Sequence, residues 1–333
     1  MIEYVVIKDR VMELSNRQGS LERITLFNLV FCLGVILWGA FVRATGSGAG
    51  CGSHWPLCNG AVVPRSADME MLIEYSHRLS SGLFMLTILF AVFLSFKYFP
   101  KSHLYRRAGM ASLFFVLVEA AIGAAVVLLE LVADNSTLAR TVWVGAHLVN
   151  TFILVAVLTY QWWLAKIEGV NYRYGLILLR KSIAGRTGKV FSAGLLLTLI
   201  VASTGAVVAL GDTLFPPASI SEGVRQHLDP TSHFLVKLRI YHPTIAVAAS
   251  VFLLWFAKRV SKESRNEKVV SLAKSLTFLV CLQIGIGFTN LALLVPVWTQ
   301  MLHLLFANIM WIVLVLTGLE FAKERVLKIE KSA

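Results

Sequence analysis

The chain has 333 residues, 57% of them hydrophobic and 15% charged, with a mean hydropathy of +0.72, a balance that excludes a soluble globular protein. A formal net charge of +12 raises nucleic-acid binding as a reading, but the basic residues follow a membrane pattern, and no nucleic-acid partner is expected. The class that remains is an all-α integral membrane protein.

A membrane span needs about 20 mostly apolar residues. Eight runs meet that need, near 24–43, 74–96, 109–130, 141–164, 190–210, 239–257, 269–293 and 298–320. The segment before them, residues 1–23, opens MIEYVVIKDRVMELSNRQGS without the apolar stretch of a cleaved signal and reads as a short cytoplasmic tail. Lys and Arg concentrate there, in the connections 97–107, 166–189 and 258–274, and in a tail at 322–333. The other side carries only Arg43, Arg65, Arg78, Arg140, Arg225, Lys237 and Arg239. The positive-inside rule therefore predicts both termini in the cytoplasm.

The first outer loop, VRATGSGAGCGSHWPLCNGAVVP, is rich in Gly and Pro and holds Cys51 and Cys58. In an oxidising compartment the two can act as a structural disulfide or as an exchanging redox pair. Cys32 and Cys281 fall inside spans and read as small core residues. The second span contains EYSHRLS, in which Glu74 stands three positions before His77 and so shares its helix face. Glu74 reads as a carboxylate that stabilises developing positive charge or moves protons, or as an interfacial charge paired with Arg78.

Spans three and seven, LVEAAIGAAVVLLEL and LVCLQIGIGFTNLALLVP, each place a polar residue, Glu119 or Gln283, before a Gly-spaced stretch. Spans four and eight open VWVGAHLVN and VWTQMLHLLFAN, with a Val-Trp pair ahead of His147 and His303. Span six contains RIYHPTI, matching span two with an aromatic residue before His242. The chain thus reads as a tandem repeat of two four-helix bundles, 24–165 and 190–321, joined by a basic cytoplasmic linker at 166–189.

A histidine inside a membrane is costly without a partner or ligand. His77, His147, His242 and His303 lie at one depth, two in each half, on spans that start from the same side. Such a pair can clamp an iron porphyrin from both axial positions. The small residues Gly123, Ala124, Ala125, Gly285 and Gly287 leave room for close backbones or a flat macrocycle. Interhelical hydrogen bonding is the bland alternative, and zinc a weaker one, because no cysteine or second carboxylate cluster shares that depth. His54, His103, His227 and His233 fall in loops. Where Glu74 precedes His77, Arg239 precedes His242 at the same spacing. An arginine there suits a haem propionate.

The motifs TGSGAGCGSHWPLCNG, EYSHR, AHLVN, LGDTLFP, RIYHP and MLHLL, in this order along nearly the whole chain, resemble those of the haem A synthase family. The resemblance implies an eight-helix membrane protein with pseudo-twofold halves that oxidises the C8 methyl of haem O to the formyl group of haem A, for terminal oxidases, with haem b as cofactor. It implies that His242 and His303 ligate haem b, that His77 and His147 hold the substrate porphyrin, that Glu74 is the essential acid, and that Cys51 and Cys58 are the outer-loop pair. It also implies a cell-membrane location, contact with lipid, a haem O synthase as partner, and an unidentified electron donor or acceptor. Some members carry a second cysteine pair between spans five and six, but 211–237 has none. Relays needing both pairs are in doubt, and LGDTLFPPASISEG is instead expected to cover the cofactor. A di-haem b-type electron carrier or quinol dehydrogenase is the competing reading, and a repeat-built transporter a third.

Overall fold

The computed structural model describes residues 2–64, 68–99, 101, 103–167 and 185–332, with side chains for 19–64, 68–99, 101, 103–167 and 188–327. The long helices are α1 (Ile2–Ala44), α2 (Met69–Tyr98), α3 (Leu104–Leu128), α4 (Leu138–Lys166) and α5 (Gly185–Leu214). Two short helices follow, α6 (Ile220–Leu228) and α7 (Phe234–Lys237), and then α8 (Tyr241–Glu263), α9 (Glu267–Ala292) and α10 (Val297–Ser332). Among the described residues the only β pairing is an isolated bridge between Cys58 and Ala61.

Eight segments are long and apolar enough to cross a membrane: Gly19–Ala44, Met69–Tyr98, Leu104–Leu128, Leu138–Lys166, Gly188–Leu214, Phe234–Glu263, Glu267–Ala292 and Val297–Leu327. All eight expected spans are present, and the protein is a multi-pass membrane protein. The ends differ from expectation where charged helix formers prolong a helix past its apolar run. Residues expected as an N-terminal tail continue α1, since nothing before Gly19 breaks a helix, and α10 runs on through the expected C-terminal tail to Ser332. The basic linker at 166–189 lies almost wholly outside the described residues.

Loops hand over to helices through side-chain caps, which satisfy backbone N–H groups that would otherwise lack partners. Asp68 Oδ1 accepts from the Met71 N–H at 2.8 Å and Ser219 Oγ from the Glu222 N–H at 3.1 Å. Asn266 Oδ1 accepts from the Lys268 N–H at 3.0 Å. The loop histidines His103 and His233 cap α3 and α7 in the same way, while His227 lies within α6.

Helix neighbours repeat along the chain. α1 packs on α2, α2 on α3, α3 on α4, and α4 back on α1; α5, α8, α9 and α10 follow the same order, with α10 returning to α5. Contacts between the sets are made by α4 and α1 against α5 and α10. The α4 and α10 spans are accordingly 44% buried along their apolar windows, against 17–28% for the others. Trp311 Nε1 donates to the Phe152 carbonyl at 2.7 Å and Trp163 Nε1 to Glu320 Oε1 at 2.9 Å across that contact. Leu154, Val155, Leu158, Leu276, Leu314 and Val260, each buried, belong to one hydrophobic core that both sets of helices share. Leu86, Phe93, Phe114, Val251 and Phe278 project outward as lipid-facing side chains. Cys281 is exposed on the outer face of α9, correcting its placement in the core, whereas Cys32 is buried as expected. An apolar span does not reveal which of its faces turns to lipid.

Candidate functional site

The odd spans return the chain, so α2, α4, α8 (entered through α7) and α10 all start at the same end of the bundle. His77, His147, His242 and His303 lie about two turns inside the starts of the spans that carry them, Met69, Leu138, Phe234 and Val297. In each ring of neighbours α2 and α4, and likewise α8 and α10, stand on a diagonal, so their histidines point across the bundle interior.

In the second half the rings of His242 and His303 meet with centres 6.3 Å apart and planes at 83°. Two imidazoles sharing one metal, each nitrogen about 2 Å away, place their ring centres about 6 Å apart. Thr204 Oγ1 lies 3.2 Å from His242 Nδ1, leaving Nε2 for a ligand. His303 Nδ1 is buried without a hydrogen-bond partner. Gly287 on α9 presents only a hydrogen to His303, since a methyl there would lie 3.3 Å from Cε1. Gly285 has nothing within 4 Å of such a methyl. A pair of opposed imidazoles with spare nitrogen valence and no third donor fits a six-coordinate iron porphyrin. Among the described residues no group of three or more His, Cys, Asp or Glu gathers to hold a metal ion, so the zinc alternative has no donor set.

The first half is built differently. His147 Nε2 lies 2.8 Å from Glu119 Oε1. That carboxylate also accepts from Asn150 Nδ2 and from Thr151 Oγ1, each at 2.5 Å. His77 Nδ1 is buried without a partner. At the position equivalent to Glu119 stands Gln283, whose Nε2 donates to the His303 carbonyl at 2.9 Å and leaves that ring free. Glu119 was visible in the sequence as a polar residue in an apolar run, but its engagement with His147 was not.

Over this end lies the loop 45–64. Cys51 and Cys58 form a disulfide, and both residues are buried, so a soluble thiol reaches them only if the loop opens. Glu74 is 3% exposed. Its Oε2 accepts from the Cys51 N–H at 2.8 Å, and its Oε1 accepts from Arg78 Nη2 at 2.5 Å and Nε at 3.1 Å. Arg78 Nη1 reaches back to the carbonyls of His54 and Leu57, at 2.5 and 2.6 Å. Glu74 and Arg78 together therefore tie the disulfide loop to the helix that carries His77. Gly50 makes the fit possible, because a methyl there would lie 2.5 Å from the Met71 nitrogen, and backbone cannot give way.

The other half has an inverted counterpart. Arg239 Nε lies 2.7 Å from Asp212 Oδ1. Its Nη atoms donate to Gln226 Oε1 at 3.1 Å and to the Phe215 carbonyl at 2.5 Å, pinning the 215–233 connection over the His242 end. Asp212 lies in the LGDTLFP motif, but sequence does not reveal that it answers Arg239. Between the halves, Arg43 Nη1 donates to the Ala209 carbonyl at 2.7 Å and Nη2 to Gln300 Oε1 at 3.0 Å.

A protein named Heme A synthase from Macrococcus caseolyticus is 27% identical over 302 residues, covering 89% of this chain and 95% of its own. One of the same name from Bacillus mycoides is 44% identical over 93 residues, 28% of this chain and 30% of its own. A Thermus thermophilus protein named Protoheme IX farnesyltransferase is 41% identical over 292 residues. That match covers 86% of this chain but 47% of the relative, so the chain spans about half the length of that protein. Residues 22–315 match the COX15-CtaA family, described as cytochrome oxidase assembly protein, and the chain belongs to that family.

Proposed function

We propose that the protein is a haem A synthase, an oxidoreductase that takes the C8 methyl of haem O through a hydroxymethyl to the formyl group of haem A. The observation that carries this reading is the pair of unequal histidine sites at one end of a family member: His242 facing His303 with no carboxylate on either ring, and His147 engaged by Glu119. A simple electron carrier needs no such inequality, so the di-haem carrier is the weaker reading.

On this reading the bundles 24–165 and 190–321 are pseudo-twofold related, both termini are cytoplasmic, and the histidine end faces outward across the cell membrane. His242 and His303 hold haem b, and Arg239 is placed to meet a propionate by exchanging its Gln226 and carbonyl contacts for a carboxylate. Bound there, haem b supplies a one-electron station beside the reaction site. His77 and His147 orient the substrate porphyrin. Glu74 places negative charge at the rim of that site, where cationic character develops at the methyl carbon, and holds the Cys51–Cys58 loop over it. The 215–233 connection covers the other pocket. Haem O is received within the membrane from a haem O synthase, as a hydrophobic porphyrin requires, and the electron donor or acceptor is a separate partner.

The test is the pigment. Haems extracted from the purified protein, produced alongside a haem O source, are separated by chromatography and identified by mass. Haem A or hydroxylated haem O beside haem B supports the synthase; haem B alone throughout supports the carrier.

A further inference from the structure

Each of the four histidines lies against a glycine of the span preceding its own. A methyl built on Gly39 of α1 would lie 2.8 Å from His77 Cε1 and 3.0 Å from Nε2. One on Gly205 of α5 would lie 2.9 Å from His242 Cε1 and 3.3 Å from Nδ1. On Gly287 of α9 the distance to His303 Cε1 is 3.3 Å, and on Gly123 of α3 it is 3.8 Å to His147 Cε1. The pairing recurs in both halves with the same grading: tight under the first histidine of each site and looser under the second. Side-chain bonds follow it in the second half, where Thr204, next to Gly205, lies 3.2 Å from His242 Nδ1, whereas His303 Nδ1 has no partner. In the first half the loosely seated ring is the one turned to Glu119.

We propose that Gly39 and Gly205 are positioning residues that fix one imidazole of each haem site in its plane, while Gly123 and Gly287 leave the opposing imidazole room to adjust. The proposal rests on the haem reading above. A contact under 3.0 Å forces something to move, and here the atoms met belong to a ring rather than to backbone. Alanine at Gly205 therefore displaces the His242 ring and leaves the helix pair in place. The fixed ring sets one ligand direction before a porphyrin arrives, and the adjustable ring closes on the other side.

The 83° angle between His242 and His303 supplies a readout independent of turnover. Perpendicular axial imidazoles leave the two iron d orbitals that overlap their π systems nearly degenerate, which gives a low-spin EPR signal with an unusually large highest g value. Rotating one ring toward the other lifts the degeneracy and lowers that value. The experiment records EPR spectra and haem b content of the oxidised, purified full-length protein and of Gly205→Ala, Gly287→Ala and Gly285→Ala. The wild type should show the large-g signal. Gly205→Ala should lose it or shift it downward with reduced haem b content, Gly287→Ala should shift it less, and Gly285→Ala should not move it. If Gly205→Ala does not accumulate, the contrast between Gly287→Ala and Gly285→Ala, on one helix, carries the same test. A Gly205→Ala spectrum and haem content equal to wild type, or an equal shift from Gly285→Ala, overturns the proposal. A wild-type protein without any low-spin bis-imidazole signal instead overturns the haem assignment beneath it. In the other half, Gly39→Ala should abolish haem A formation while leaving the haem b signal intact; normal turnover would contradict the role of Gly39.

Discussion

Glu74→Gln separates charge from shape at the rim of the first site. The carboxylate accepts two donations from Arg78 and one from the Cys51 N–H, and it is 3% exposed. Glutamine retains an acceptor oxygen for one of these donors but turns an amide N–H toward another. Hydrogen bonds to charged groups contribute about 1.5–3 kcal/mol each. Because Arg78 keeps its bonds to the His54 and Leu57 carbonyls, the loop is not released outright. Losing the charge on the Arg78 side, together with its field at the reacting carbon, should cost about 2–3 kcal/mol, or roughly 30- to 150-fold in rate. The assay is chromatography of extracted haems against a reduced-minus-oxidised spectrum of the same preparation. Haem O or its hydroxylated form should accumulate while haem b stays bound to His242 and His303. A normal haem A yield from a variant that keeps the Cys51–Cys58 disulfide would refute the reasoning and leave Glu74 as a loop anchor alone.

Three further outcomes follow from the same geometry. His242→Ala or His303→Ala should each remove the low-spin b-type absorption from a protein that still inserts into the membrane, since each supplies one axial nitrogen; a full spectrum from both would place the cofactor elsewhere. Cys51→Ser and Cys58→Ser should behave alike, with reduced turnover and haem b retained, and mass analysis without reductant should find the wild-type pair two hydrogens short of free thiols. Arg239→Gln leaves Asp212 without its ion-pair partner, a loss of about 1.5–3 kcal/mol for a hydrogen bond to a charged group in a partly buried pair. It should lower the melting temperature of the holoprotein and shift the haem b spectrum without abolishing oxidation, and an unchanged melting curve would remove the clamp.

The histidines were legible because an ionisable ring in an apolar span is conspicuous, and their common depth follows from span order alone. The loop pair Cys51 and Cys58 was legible for the same reason, as rare residues in a short loop. What the sequence hid were partnerships. Glycine is common in membrane helices, so nothing in the pattern marks Gly39 or Gly205 as the residues beneath His77 and His242. The Glu74–Arg78 pair was legible from its spacing, but not the Cys51 amide that joins it, and Arg239 read as a charge facing a porphyrin although Asp212 already answers it. Long-range pairings such as Asp212 with Arg239, or Arg43 with Gln300, depend on how helices meet, which periodicity does not encode. The misplacement of Cys281 has the same origin, because a uniformly apolar helix conceals which of its sides faces lipid.

The central claim, that a haem O methyl is oxidised here beside a haem b held by His242 and His303, is tested most directly by turnover of the purified full-length protein. Haem O is supplied with an electron acceptor, and the haems are identified by mass over time, in the wild type and in His77→Ala. The wild type should convert haem O through the hydroxylated species to haem A, and His77→Ala should retain haem b and convert none. Haem O left unchanged by a wild-type protein that carries its full b-type spectrum would contradict the account.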